Sequence, residues 1–162
     1  MVAGGVPPAL TCLDRRLLGA EAAWTTAVEL GAGTGLLGVA AACVLRHSGL
    51  ASLLLTDVAA VVPDLEANVA LNAPLLAGVA VRACALDWTQ ARTQVPALQL
   101  SAPVDLLLAA DVVWVEHLVQ PLVDTMQLLA TDRTLILFAH QTRSQRIDDI
   151  FFAALTAAEF SM

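Results

Sequence analysis

The chain contains no lysine and no tyrosine, so each of its 8 basic residues is an arginine. Those arginines are scattered through a sequence of net charge −7, which excludes the basic footprint of a nucleic-acid-binding protein. A basic protein partner suits that charge better. Cysteine is scarce as well. Cys12, Cys43 and Cys84 are odd in number, far apart and set among apolar residues, which argues against a disulfide framework or a zinc site and for reduced thiols in a cytoplasmic or nuclear protein. No histidine, cysteine and carboxylate cluster has metal-ligand spacing, so no metal is expected. Long apolar runs are missing too. The longest, Leu30 to Leu45, is broken by four glycines and falls short of the ~20 residues that cross a bilayer. The N-terminus has no basic region ahead of an apolar core, and Arg15-Arg16 alone makes a poor transit peptide.

What is present is aliphatic. The hydrophobic share is 58 %, above the usual ~45–50 %. Much of it is alanine, a bias of the kind that GC-rich coding produces. At 162 residues the chain fits one domain. From Thr26 onward short aliphatic runs alternate with helical patterns, which predicts β-α units around a mostly parallel, doubly wound α/β sheet. Strands are predicted at Thr26–Leu30, Ser52–Thr56, Val79–Ala85, Val104–Ala109 and Thr134–Ala139. Helices are predicted at Leu36–His47, stopped by Ser48-Gly49, and at Val61–Leu71, Val115–Ala130 and Arg143–Ala158. Thr89–Pro103, with two prolines, reads as a short helix and a loop.

In open α/β sheets, ligands bind beyond the carboxyl ends of the strands near a switch in strand order. The notable polar residues fall there. Glu29 and the glycines follow the first strand, Asp57 ends the second, Asp87-Trp88 follows the third, Asp111 the fourth and His140 the fifth. The loop Glu29-Leu30-Gly31-Ala32-Gly33-Thr34-Gly35 brings its third glycine one residue too early for a dinucleotide fingerprint. The ligand most often found with this pattern is S-adenosylmethionine, which needs no pyrophosphate cradle; a dinucleotide or a purely structural turn are the alternatives. Asp57 can accept from two ribose hydroxyls or cap the next helix. Asp87 and Trp88 offer an acceptor and an aromatic face for adenine, or Trp88 fills core. Asp111 orients a substrate or caps the helix near Val115. Asp105, at the opposite end of its strand, reads as structural. His140 reads as a satisfied polar residue, Arg143 and Asp149 as an intrahelical or surface ion pair, and Glu116 and His117 as a solvated helix face.

Taken together, Ala27 to Leu36, Thr56-Asp57, Leu65 to Asn72, Leu86-Asp87-Trp88 and Ala109 to Trp114 resemble the seven-strand protein-lysine methyltransferases of methyltransferase family 16, in order and spacing, over about Gly5 to Phe160. The resemblance implies a Rossmann-like methyltransferase fold and S-adenosylmethionine as cofactor. It implies Gly31 to Gly33 at the methionine part, Asp57 at the ribose, Trp88 at the adenine and Ala110 on the cofactor's other side. The full candidate cofactor-binding set is Glu29, Gly31, Ala32, Gly33, Gly35, Asp57, Asp87, Trp88 and Ala110. Asp111 and Trp114 are the candidate catalytic pair, matching a family Asp-x-x-Tyr motif with Trp in the tyrosine's place, which keeps an aromatic wall and removes a hydroxyl. Val6-Pro7-Pro8-Ala9-Leu10 stands where the family has a tryptophan before its helix start. The family's opening strand hairpin and closing antiparallel hairpin have no counterpart, so the single domain of residues 1–162 is expected to be truncated at both ends. The implied activity is methyl transfer to a protein side chain, lysine first, with arginine, histidine or a small molecule as other acceptors. A silent module that binds cofactor or partner is the rival.

Overall fold

In the computed structural model, residues 24–161 are described. Five strands form one all-parallel sheet in the order β3-β2-β1-β4-β5, with β1 at Thr26–Leu30, β2 at Ser52–Asp57, β3 at Ala80–Ala85, β4 at Leu106–Ala110 and β5 at Leu135–Ala139. The helices are α1 (Leu36–Leu45), α2 (Val62–Leu71), the single turn α3 (Ala91–Gln94), α4 (Val119–Leu129) and α5 (Gln145–Ala157). The expected β-α alternation is present, with β1 at its predicted bounds and other ends moved by up to four residues. The largest move is at α4, where a 3₁₀ turn, Glu116–Leu118, replaces the predicted first helical turn. Among the described residues no helix is long and apolar enough to cross a membrane. The Val6 to Leu10 segment and Cys12 lie outside the described residues.

The strands are apolar on both sides because both sides are covered. In β1 and β4 the odd and even positions divide cleanly. Val28, Leu30, Leu107 and Ala109 face the layer that holds α4 and α5, where Leu122, Val123, Met126, Phe151 and Leu155 are buried. Ala27, Leu106 and Leu108 face the other layer, packed with Ala42, Leu45 and Leu65 of α1 and α2. The helices that meet the first layer carry a stripe at helical spacing: Val119, Leu122, Val123, Met126 and Leu129 on α4 are all buried.

The chain leaves β1 toward β2 and β3 on one side and later returns to place β4 on β1's other side. That reversal lies between β1 and β4, where the two following loops diverge and leave a crevice. At the opposite edge Asp105 closes the sheet. Its Oδ2 accepts from the Thr25 amide at 2.8 Å, the Thr25 hydroxyl at 2.9 Å and the Thr26 amide at 3.0 Å. Burial pulls this carboxyl up, but those bonds and the charge of Arg133 outweigh it and hold it below the ordinary carboxylate range. Asp105 is thus structural.

Replacing it by alanine (Asp105→Ala) leaves those donors unmatched, and a loss of about 1–3 kcal/mol in urea denaturation is expected. Because the folded-state carboxyl is depressed, its contribution is full above the unfolded value near ~3.9 and disappears as pH falls through the folded one. The variant should therefore approach the native chain in stability at low pH.

Candidate functional site

The crevice is built first from backbone. Gly31, Gly33 and Gly35 have φ of 63°, 54° and 79°, left-handed values that L side chains rarely adopt. A Cβ on Gly31 would come within 2.6 Å of Val112 Cγ1 and 3.2 Å of the Trp88 ring. At Gly33 it would meet nothing within 4 Å, so this glycine faces open space. The loop is pinned from beneath. Ala32 donates to the Thr56 carbonyl at 2.9 Å and Gly35 to the Ala32 carbonyl at 2.7 Å, while Asn68 on α2 donates its side-chain amide to the Thr34 carbonyl at 3.0 Å. The buried Thr56 hydroxyl donates to the Glu29 carbonyl at 2.6 Å.

Asp57, at the end of β2, accepts from the Gly33 amide at 2.8 Å and the Val58 amide at 2.7 Å. Its carboxylate therefore buckles the glycine loop to β2 and retains unused lone pairs on both oxygens. The helix-cap alternative is corrected here: α2 begins after Val61 with no side-chain cap.

Glu29 sits on the layer facing α1. It is 2 % exposed, and its Oε2 accepts from the Gly38 amide at 3.0 Å. Burial pushes this carboxyl up from 4.5 to about 7, the Gly38 amide pulls it down, and the charge of Asp57 raises it further. Its direct partner is the helix backbone, and it supports the loop from below.

Further along the edge, Asp87 caps the short turn Trp88–Gln90. It accepts from the Thr89 amide at 2.9 Å, the Thr89 hydroxyl at 2.7 Å and the Gln90 side chain at 3.2 Å. The Thr89 hydroxyl, its amide and Gln90 together hold the carboxyl below its ordinary value. Trp88 is half-buried, packed on the α4 side of the core with its ring beside Gly31. It is wall and core filler at once.

Across the crevice, Ala110 ends β4 and Asp111 follows with φ of 55°, an uncommon conformation for a residue with a side chain. The Asp111 amide donates to the Ala139 carbonyl at 2.9 Å. Its carboxylate, half-exposed, is gripped by Arg143: Nε donates to Oδ1 at 3.0 Å and Nη2 to Oδ2. The Arg143 bonds, its charge and that of His140 keep the Asp111 carboxyl below the usual range. Val112 and Val113 are buried while Trp114 is 62 % exposed, so the motif alternates between anchor and surface.

Two sequence expectations change. Arg143 precedes α5 and reaches back to Asp111, and Asp149 is bonded instead by the Gln145 side chain at 2.9 Å. Asp111 caps no helix, since the Glu116–Leu118 turn follows Val115 with no side-chain cap. His140 is paired through Nε2 with Asp148 at 2.8 Å, and its Nδ1 is buried without a partner. Glu116 pairs with Arg146 at 2.9 Å on the surface. A cavity of about 760 Å³ lies elsewhere, along the side of β5 away from β4, between Phe138, Phe151, Phe152 and Leu155. It does not reach the glycine loop.

The chain is similar to known proteins. A family profile described as lysine methyltransferase matches residues 12–158. Protein N-lysine methyltransferase METTL21A of Danio rerio is 33 % identical over 128 residues, covering 79 % of this chain and 54 % of its own. EEF1A lysine methyltransferase 3 of Mus musculus is 30 % identical over 135 residues, covering 83 % of this chain and 53 % of its own. The chain spans about half the length of the curated relatives it matches. Among solved structures, an O-methyltransferase family protein from Burkholderia thailandensis superposes with a TM-score of 0.60 at 14 % identity, covering 86 % of this chain and 39 % of that one. That likeness concerns the fold.

The raised Glu29 carboxyl has a measurable cost. The folded chain binds its proton more tightly than the unfolded chain does, so stability from this group falls as pH rises from 4.5 to about 7 and is flat above. Glu29→Gln keeps an acceptor for Gly38 and removes the charge. It should be more stable than the native chain by ~1–3 kcal/mol at about pH 8, with the gain vanishing near the ordinary glutamate value. Denaturation at the two pH values reads this directly, and an equal difference at both would refute it.

Proposed function

The chain belongs to the lysine methyltransferase family, and we propose that it transfers a methyl group from S-adenosylmethionine to a lysine side chain of a protein. The observation that carries this reading is the crevice at the strand-order switch. There a glycine loop with an open face at Gly33 stands opposite a half-exposed Asp111. The residues fit the cofactor. Gly33, open to the crevice, and Gly31 beside it offer a side-chain-free cradle to the methionine part, with Ala32 buried behind it and Gly35 packed on Leu55 and Leu65. Asp57 keeps acceptor capacity for ribose hydroxyls after binding two amides. Trp88 presents a ring, and Asp87 an acceptor, at the place for adenine. Ala110 is small enough to leave room on the far side.

Held by the glycine loop, Asp57 and Trp88, S-adenosylmethionine would supply an activated methyl group, on a sulfonium, for transfer to the acceptor nitrogen. The protein's part is alignment. Asp111 holds the acceptor nitrogen by an N–H bond, and its backbone amide, tied to Ala139, fixes where that carboxylate stands. Trp114, exposed at the end of the Asp111 to Trp114 motif, offers an aromatic face for the apolar alkyl stem of the lysine and excludes water. Glu29, through Gly38, keeps α1 and the glycine loop in register without touching either reactant. The net charge of −7 favours a basic protein as acceptor.

The test separates binding from transfer. Asp111→Ala should bind S-adenosylhomocysteine like the native chain in calorimetry and lose about a hundredfold in labelling of protein extract by methyl-tritiated cofactor. Gly33→Val should lose the binding itself. Equal labelling by Asp111→Ala and the native chain would remove Asp111 from the reaction. Because the chain has no lysine, a labelled band at its own mass would count against lysine as acceptor.

A further inference from the structure

A carboxylate that receives a lysine amine faces a conflict. An opposite charge within ~4–6 Å favours the protonated form of the amine, whose ordinary value is already ~10.4, yet only the neutral amine has the lone pair that bonds to carbon. A bare aspartate at the mouth would bind the acceptor in its unreactive form.

Asp111 is not bare. Both of its oxygens are taken by the Arg143 fork, with Nε on Oδ1 at 3.0 Å and Nη2 on Oδ2. A guanidinium keeps its charge at any accessible pH, and in this two-pronged geometry it fixes the plane of the carboxylate as well. The other charged groups around the site are committed elsewhere. His140, whose charge also reaches Asp111, is bonded to Asp148, Arg146 is on Glu116, and Asp149 on Gln145. Asp57 is on the Gly33 and Val58 amides, and Glu29 is buried on Gly38. Among the described residues, Arg143 is thus the cation bonded to Asp111. Each Asp111 oxygen still has a lone pair for an N–H of the acceptor. Asp111 is also tied through its backbone to Ala139, the last residue of β5, so the loop bearing Arg143 and the one bearing Asp111 leave adjacent strand ends.

Building on the reading of Asp111 as the amine-holding residue, we propose that Arg143 is a positioning residue for the acceptor. By forking onto Asp111 it fixes the carboxylate and cancels its charge, so that the site takes the lysine amine neutral, its proton having left to solvent water, and does not hold it as ammonium.

The probe is N-acetyl-lysine methylamide, whose only charge is the side-chain amine, titrated by calorimetry into the chain saturated with S-adenosylhomocysteine. Because Arg143 is half-exposed, Arg143→Gln is expected to fold, and cofactor-product affinity equal to that of the native chain confirms it. At about pH 7, where the amine is cationic, Arg143→Gln should bind the probe roughly threefold more tightly, the scale of one exposed ion pair. The gain should fade as pH approaches ~10.4, and Arg143→Lys, which keeps the positive charge but loses the fork, should show no such gain at about pH 7. In turnover on a lysine peptide, the rate profile of Arg143→Gln should move to higher pH. Unchanged or weaker probe binding by Arg143→Gln at about pH 7 overturns the proposal. So does a turnover ratio that is constant with pH, or a faster Arg143→Gln at neutral pH, which would make Arg143 an occupant the substrate must expel. If the native chain labels no acceptor, methyl transfer itself falls, while the calorimetric comparison still decides what Arg143 does to Asp111.

Discussion

The candidate site depends on how closely α1 approaches the sheet. Gly38, one turn into that helix, has no side chain, and a Cβ there would run into Leu55 on β2 and the Glu29 carboxyl on β1. Glycine inside a helix costs roughly 0.5–1 kcal/mol relative to alanine. In return the Gly38 amide reaches the Glu29 carboxyl, and the helix start is drawn down onto the strand it follows. The glycine loop is the short stretch that must span this gap, and its three left-handed residues follow from the constraint. Asp57 and Asn68 then pin the loop from β2 and α2, so two crossovers share in holding one turn.

Stability is given up around the crevice. A carboxyl held at about 7 under a helix and an aspartate in a left-handed backbone conformation both oppose folding. Both lie at the ends of the neighbouring interior strands β1 and β4, whose other residues are almost wholly buried. That apolar frame of Val28, Leu30, Leu107 and Leu108 is what keeps such local strain from relaxing. The same contrast separates the crevice from the cavity beside β5, which is walled by Phe138, Phe151 and Phe152 and borders an unpaired strand edge among the described residues. One place is polar and set by backbone geometry. The other mixes those aromatic rings with Gln127, Thr131, Asp132 and Thr134, and beside it lies the unpartnered Nδ1 of His140.

Much of the frame could be read from residue order because it rests on local physics. A short apolar run bounded by polar residues, such as Leu106-Leu107-Leu108, fits a strand buried on two faces, and glycines and carboxylates placed just after successive parallel strands gather at one sheet edge. Thr26–Leu30 and the placing of Gly31, Asp57 and Asp111 at strand ends follow from that logic. The helix ends were less legible: nothing local to Val115-Glu116-His117 distinguishes a 3₁₀ turn from an α-helix before packing selects one.

What only the tertiary structure decided is which groups meet. Arg143 and Asp149 lie six positions apart, yet Arg143 belongs to Asp111, 32 residues away, because β4 and β5 end side by side. Glu29 reads as a ligand contact by its place in the motif, but the strand's alternation turns it toward α1 and buries it against Gly38, whose meaning no spacing reveals. Periodicity along a chain specifies the faces that residues occupy. Partners across the sheet depend on strand order, and a strand order of β3-β2-β1-β4-β5 emerges only when the two hydrophobic layers close over the strands together.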